Sequence, residues 1–278
     1  MNKKTAKEMR VENIKKLISD NLEKIKDNGA KETLKKYPSI IDELFIEKQD
    51  IVEEKIKINT IILSKIIPYV EKVLEGSLVE KNIRTAIYSL SSLIINDLNA
   101  SLLLSKAGRY TALMTILRKI DEAIILINAL SYEFYKGENK SLISWFDGEL
   151  IMHGDCRKIL EKMNEEFDIG IGVNIGSLES YLYQMTSQPA HNGYVSVIEN
   201  ISPFTEKFDF EGSTGFHRTI SGIKFLNGII RGFVDSLKHV YLFVLKDPKG
   251  LDEIENIYVN YWGKITRDSI SEEIINKF

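Results

Sequence analysis

Apolar residues recur at intervals of three and four along nearly the whole chain. Val11, Ile14, Leu17, Ile18, Leu22 and Ile25 line one face of a first helix, with lysines and acids opposite. Asn28-Gly29 ends that run. A second helix starts near Pro38-Ser39 with Ile40, Ile41, Leu44 and Phe45. A third runs from about Ile51 through Ile58, Ile62 and Ile66 toward Val70. Pro68 marks a kink or a boundary in it, because proline cannot donate the helical hydrogen bond. The central stretch predicts two long helices. Ile83, Ile87, Leu90, Ile94, Leu98 and Leu102 form the stripe of one, and Leu113, Leu117, Ile120, Ile124 and Ile127 that of the other.

Beyond a loop at Lys136–Lys140, a shorter helix is expected over Leu142–Met163, with Trp145 and Phe146 at its start. Asp168–Gly176 is glycine-rich and irregular, and Leu178–Gln184 and Val195–Ile201 resume helical character around Pro189. After a polar, aromatic loop at Pro203–Gly215, Phe216–Leu245 reads as one long helix. Its Gly222, Gly228 and Gly232 each cost about 1 kcal/mol against alanine, which predicts close packing on a neighbour. Asp247-Pro248-Lys249-Gly250 reads as a turn before a terminal helix or hook. Alternating strand patterns are nearly absent. The expected fold is all-α: a multi-helix bundle with long antiparallel helices. Residues 1–80 form an N-terminal helical arm, 81–246 the central bundle, and 247–278 a C-terminal turn and helix.

Composition narrows the function classes. The 278 residues carry 37 basic and 40 acidic side chains, a net −3, where a dedicated duplex-binding domain is usually strongly basic. One cysteine, Cys156, excludes an intramolecular disulfide framework and an all-cysteine zinc site. The basic N-terminus has no apolar stretch behind it, unlike a secretory signal. The two longest apolar runs, Tyr88–Ser105 and Thr219–Leu245, are interrupted by Asp97 and by Lys224, Arg231, Asp235 and Lys238 respectively. A soluble, cytoplasmic protein with no membrane association is expected. Lysine outnumbers arginine 29 to eight, a skew expected of an AT-rich bacterial genome.

Several motifs resolve to ordinary structure. Gly170-x-Gly172-x-x-x-Gly176 follows a charged helix, whereas a dinucleotide loop follows a strand. Asn96-Asp97-Leu98-Asn99 lacks further oxygen ligands on its helical face, where Ala100 and Leu104 stand. His153, His191, His217 and His239 are scattered singly, without the i, i+4 spacing of a zinc pair. No metal or cofactor is expected.

Two stretches carry more chemistry. Arg118 and Glu122 lie one turn apart at the edge of an apolar stripe, so they face the same way. They read either as a boundary ion pair or as part of a polar pocket in which Arg118 binds an anion. In Thr186–Tyr194, Pro189 at the first helical position would put His191 in the first turn, where the helix dipole favours neutral imidazole. It reads as a general base or as a packed hydrogen-bonding residue.

Arg109-Tyr110-x-Ala-x-x-x-x-Leu-Arg118-x-x-x-Glu122, the aromatic pair Trp145-Phe146, and Tyr183-x-x-x-Ser187-x-x-x-His191-Asn-Gly together resemble an uncharacterised group of bacterial all-helical proteins. That group lies near the HEPN class (higher eukaryotes and prokaryotes nucleotide-binding), over residues 84–245. The resemblance implies metal-independent ribonucleases of toxin–antitoxin and phage-defence systems, whose motif is Arg, four to six residues, then His. No histidine here has an arginine at that spacing, so the usual dyad is missing. Two functions follow. One is a helical module recognising a protein partner, a second copy or an anionic ligand, in a bacterial defence or stress system. The other is a ribonuclease with a rearranged site: His191 as base or acid, Arg118 on the pentacoordinate phosphate, Glu122 holding Arg118, and Arg109, Tyr110 and Tyr183 as ligand contacts.

Overall fold

The computed structural model describes residue 16 and residues 53–107, 109–167 and 216–267. These form helices joined by short connections, with no strand among the described residues. The architecture is all-α. Helix α1 covers 53–73, followed by α2 (Ile83–Lys106), α3 (Tyr110–Tyr135), α4 (Lys140–Phe146), α5 (His153–Phe167), α6 (Phe216–Val240) and α7 (Pro248–Arg267). Of the helix expected at 11–25 only Lys16 is described, in helical conformation and exposed, and the stretch containing Tyr183 and His191 lies outside the described residues.

The periodic stripes become the core. Every stripe residue named for α2 and α3 is buried, and they meet Leu226, Ile230, Phe233 and Leu237 of α6. That core crosses both boundaries expected at residues 80 and 246, because Ile62, Leu63, Ile66, Val70 and Val73 of α1 and Ile254 of α7 belong to it. α1 is therefore built into the bundle. It continues past Pro68, where the ring faces solvent and water can take the carbonyl that loses its helical donor. A smaller cluster of Ile125, Ala129, Tyr132, Cys156, Leu160, Met163 and Phe243 fixes α5 on α3.

The helices are not uniformly antiparallel. α2 and α3 are, with Asp97 ion-paired to Lys119 at 2.8 Å. α6 runs parallel to α3, since Gly232 meets Ile124, His239 meets Asn128 and Phe243 meets Tyr132. α5 is also parallel to α3, its last turn held by Tyr132 Oη donating to Glu166 at 2.6 Å and by Lys136.

Three local expectations are corrected. The helix expected over Leu142–Met163 is two helices, because Gly148 adopts φ 76° and the chain must return along α3 before α5 starts. Gly228 is exposed, with open space around it, and Gly232 makes only an ordinary contact, so neither mediates close backbone packing. Asp247–Gly250 does not form a free turn. Pro248 opens α7, and Asp247 Oδ1 accepts from the Gly250 N–H at 3.1 Å as its cap.

α2 is long and apolar enough to cross a membrane by length and composition, yet its main stripe packs in the core, while Leu93 and Leu103 are exposed. The short α4 is capped from outside itself. Buried Glu133 of α3 accepts from the Ser141 N–H and Oγ–H, both at 2.9 Å. Removing that carboxylate leaves an amide and a hydroxyl without their charged acceptor. Glu133→Ala should cost about 2 kcal/mol, read as a lower urea midpoint at unchanged slope.

Candidate functional site

The face of α5 that meets α3 explains which polar groups come together. Cys156, Leu160 and Met163 form its buried stripe. His153 and Arg157 occupy the edge of the same face, one helical turn apart, and both are half-buried. On α3, Asp121 and Glu122 lie one turn before Ile125, which packs on that α5 stripe. Parallel packing therefore brings His153 and Arg157 to the level of Arg118, Asp121 and Glu122.

Arg118 directs both Nε and Nη2 to the same Glu122 oxygen, each at 3.0 Å. The Arg118 side chain is only 12% exposed and Glu122 42%, so the pair leads from the seam to the surface. Asp121 is 8% exposed. Burial raises its carboxyl to about 6, and Glu122 adds to this, against the lowering effect of Arg157 and Arg118. His153 is lowered from its ordinary value, first by burial and then by the Arg157 cation, with Glu122 opposing and Arg118 adding, which favours the neutral imidazole.

His153 is also the first residue of α5. Among the amides of the first turn, those of Asp155 and Cys156 donate to the Met152 carbonyl. Gly154 is exposed, and a Cβ built there would meet nothing within 4 Å. The N-terminus of α5, an end that favours negative charge, therefore lies on the exposed side of the seam at Gly154.

The expected site is thus met in part. Arg118 and Glu122 pair as their spacing requires. Arg109 and Tyr110 lie at the start of α3, Arg109 about 13 Å from Arg118 along the axis, so they belong to the other end of the helix. His191 and Tyr183 lie outside the described residues. The histidine that stands by Arg118 is His153, and Arg157 and Asp121 complete the group. Their signal in the sequence was the 153, 156, 157, 160 spacing, which puts a histidine and an arginine on the stripe of Cys156 and Leu160.

The other candidates serve packing. His239 stacks on Phe243 and its Nδ1 lies 3.1 Å from Asn128 Oδ1; burial, with Lys238 adding, lowers it to about 4. Cys156 is buried and its thiol is raised to about 11 by burial, with Glu133 and Asp155 adding, which leaves almost no thiolate at neutral pH. Among the described residues no group of histidine, cysteine and carboxylate side chains is arranged to hold a metal ion.

Compared with known protein families, curated proteins and solved structures, the chain matches none.

Proposed function

We propose that this chain is a helical module that recognises an anionic ligand at the α3–α5 seam. Two guanidinium groups and a helix N-terminus, contributed by separate elements around one buried carboxylate, support this reading. The balance of charge elsewhere keeps the attraction local: the net −3 of the chain gives no long-range pull on polyanions. Arg118, pre-oriented by Glu122, is the expected anchor. Addition of 20-fold excess phosphate over its dissociation constant at pH 6 should raise the thermal midpoint by about 3 °C. Arg118→Gln should abolish that rise while leaving the helical spectrum intact. A rise of equal size in the variant would remove Arg118 from the site.

His153 favours a second reading, a metal-independent ribonuclease. A neutral imidazole at the mouth of the seam could take the proton of a 2′-hydroxyl, with Arg118 and Arg157 stabilising the developing phosphorane charge. A role in a bacterial defence or stress system, as the resemblance implies, would follow from such cleavage. The expected result is EDTA-resistant cleavage of an RNA oligomer that is lost in His153→Ala. Cleavage unchanged in that variant, or none by the wild type, leaves the binding reading alone.

A further inference from the structure

We propose that the outward face of α2 docks a second copy of this chain, the two α2 helices packing antiparallel around a two-fold axis. The inference is independent of the anion site, which lies between α3 and α5. α2 carries two stripes rather than one. The first, from Ile83 through Ile94 to Leu102, is its core stripe. The second is Ser89, Leu93, Asn96, Ala100 and Leu103, which advances by four, three, four and three residues on the side of the helix opposite Leu98. That spacing is a heptad seam, the pattern by which one helix packs along another. Leu103 is 70% exposed and Leu93 39%, with Asn96 exposed between them.

Charge decides what this seam fits. Every exposed residue of α5 except Gly154 is charged, whereas on α2 only Lys106 is. From Thr85 to Ser105 the single charge is Asp97, and Lys119 of α3 pairs with it at 2.8 Å. A two-fold contact sets each side chain near its own copy, so a charged seam repels itself and this neutral one does not. A lipid surface is the poorer fit. The exposed amides of Asn96 and Asn99 stand mid-face, where acyl chains offer them nothing, and the face lacks the row of cations that meets lipid headgroups. An amide both donates and accepts, so Asn96 finds its complement in its own copy, and one asparagine in an otherwise apolar seam fixes register. The antiparallel register centred on Leu98 sets Leu93 against the partner's Leu103 and Asn96 over the partner's Ala100, whose small side chain permits close approach. It also opposes the two helix dipoles.

Sedimentation velocity of the full chain at rising concentration reads the association. One helix pair makes a small interface, so the mass should climb from 31.8 kDa toward twice that with a dissociation constant of about 10 µM. Leu93→Lys combined with Leu103→Lys should weaken association at least about tenfold. Both side chains are exposed, so the helical circular dichroism should not change. Asn96→Leu should tighten association about tenfold, because the asparagine specifies register at the expense of affinity. Oxidation of an equimolar mixture of Leu93→Cys and Leu103→Cys should give the mixed disulfide in preference to either symmetric one, and the native Cys156 is buried and does not compete. A mass of one chain at every concentration would overturn the proposal, as would association undiminished in the lysine double variant. Flotation of the wild type with phosphatidylcholine vesicles, without self-association, would assign the face to a membrane instead. Preference for the symmetric disulfides would overturn the antiparallel arrangement.

Discussion

Gly250→Ala should destabilise the fold by about 3 kcal/mol, although the position is helical and helix propensity alone predicts a gain of about 1 kcal/mol. A methyl group built at Gly250 would overlap Cδ1 and Cε1 at the edge of the Tyr241 ring and lie 2.7 Å from Asp247 Oδ2. The ring cannot retreat easily. Tyr241 is fully buried, its hydroxyl donates to the Tyr69 carbonyl at 2.9 Å, and Tyr69 packs edge-on against it. Asp247 is likewise fixed, by Lys72 at 2.6 Å and by its capping bond to Gly250 itself. Relief requires α7 to move away from the π-helical turn Tyr241–Leu245, at the expense of the core contacts of Ile254. The opposite signs of the two effects make the urea midpoint decisive. A midpoint raised in Gly250→Ala would mean that α7 does not seat on Tyr241.

Stability against pH provides the second large effect, because buried Asp121 and half-buried His239 oppose each other between pH 4 and 6.5. Asp121 titrates near 6 in the fold and near 3.8 unfolded, so its ionisation disfavours the folded state. That penalty, about 3 kcal/mol, is complete above pH 6 and disappears as pH falls to 4. His239 titrates near 4 in the fold and near 6.5 unfolded. Below 6.5 the unfolded chain takes up a proton that the folded chain refuses, so stability is lost as pH falls toward 4, again by about 3 kcal/mol. The two linkages nearly cancel in the wild type. Asp121→Asn should therefore be more stable than the wild type at pH 7.5 and converge with it near pH 4. His239→Gln, which keeps an amide to meet Asn128, should lose less stability than the wild type over the same descent. Urea unfolding at several pH values checks both, and comparison with the wild type cancels the surface carboxylates. Curves that run parallel to the wild type would contradict the desolvation of these side chains.

What could be read from the sequence follows from the range of the interactions involved. The α2 and α3 stripes are statements about 3.6-residue periodicity, a local property, and each named residue is in the core. The Arg118–Glu122 pair is equally local, since i, i+4 spacing fixes it before any tertiary packing. The break between α4 and α5 was also present locally, in Asp147-Gly148, but the apolar run across it masked the positive φ that Gly148 supplies. The partners of Arg118 were of another kind. His153 and Arg157 reach it only because α5 runs parallel to α3, and that direction is set by the Cys156–Leu160–Met163 stripe finding Ile125 and Ala129. No periodicity specifies which helix a stripe will meet. Gly228 of α6 is the converse case: its propensity cost reads as needing a packing reason, yet the residue faces open space. For that cost the structure offers no compensating contact.

Nuclear magnetic resonance titration of 15N-labelled protein with sulfate at pH 5.5 tests the convergence of α3 and α5 into one anion site most directly. If the seam is one site, the amides of His153 and Gly154 and the Nε–H resonances of Arg118 and Arg157 shift together and saturate along a single curve. Shifts spread over surface lysines without saturation, with those four resonances unmoved, would contradict it.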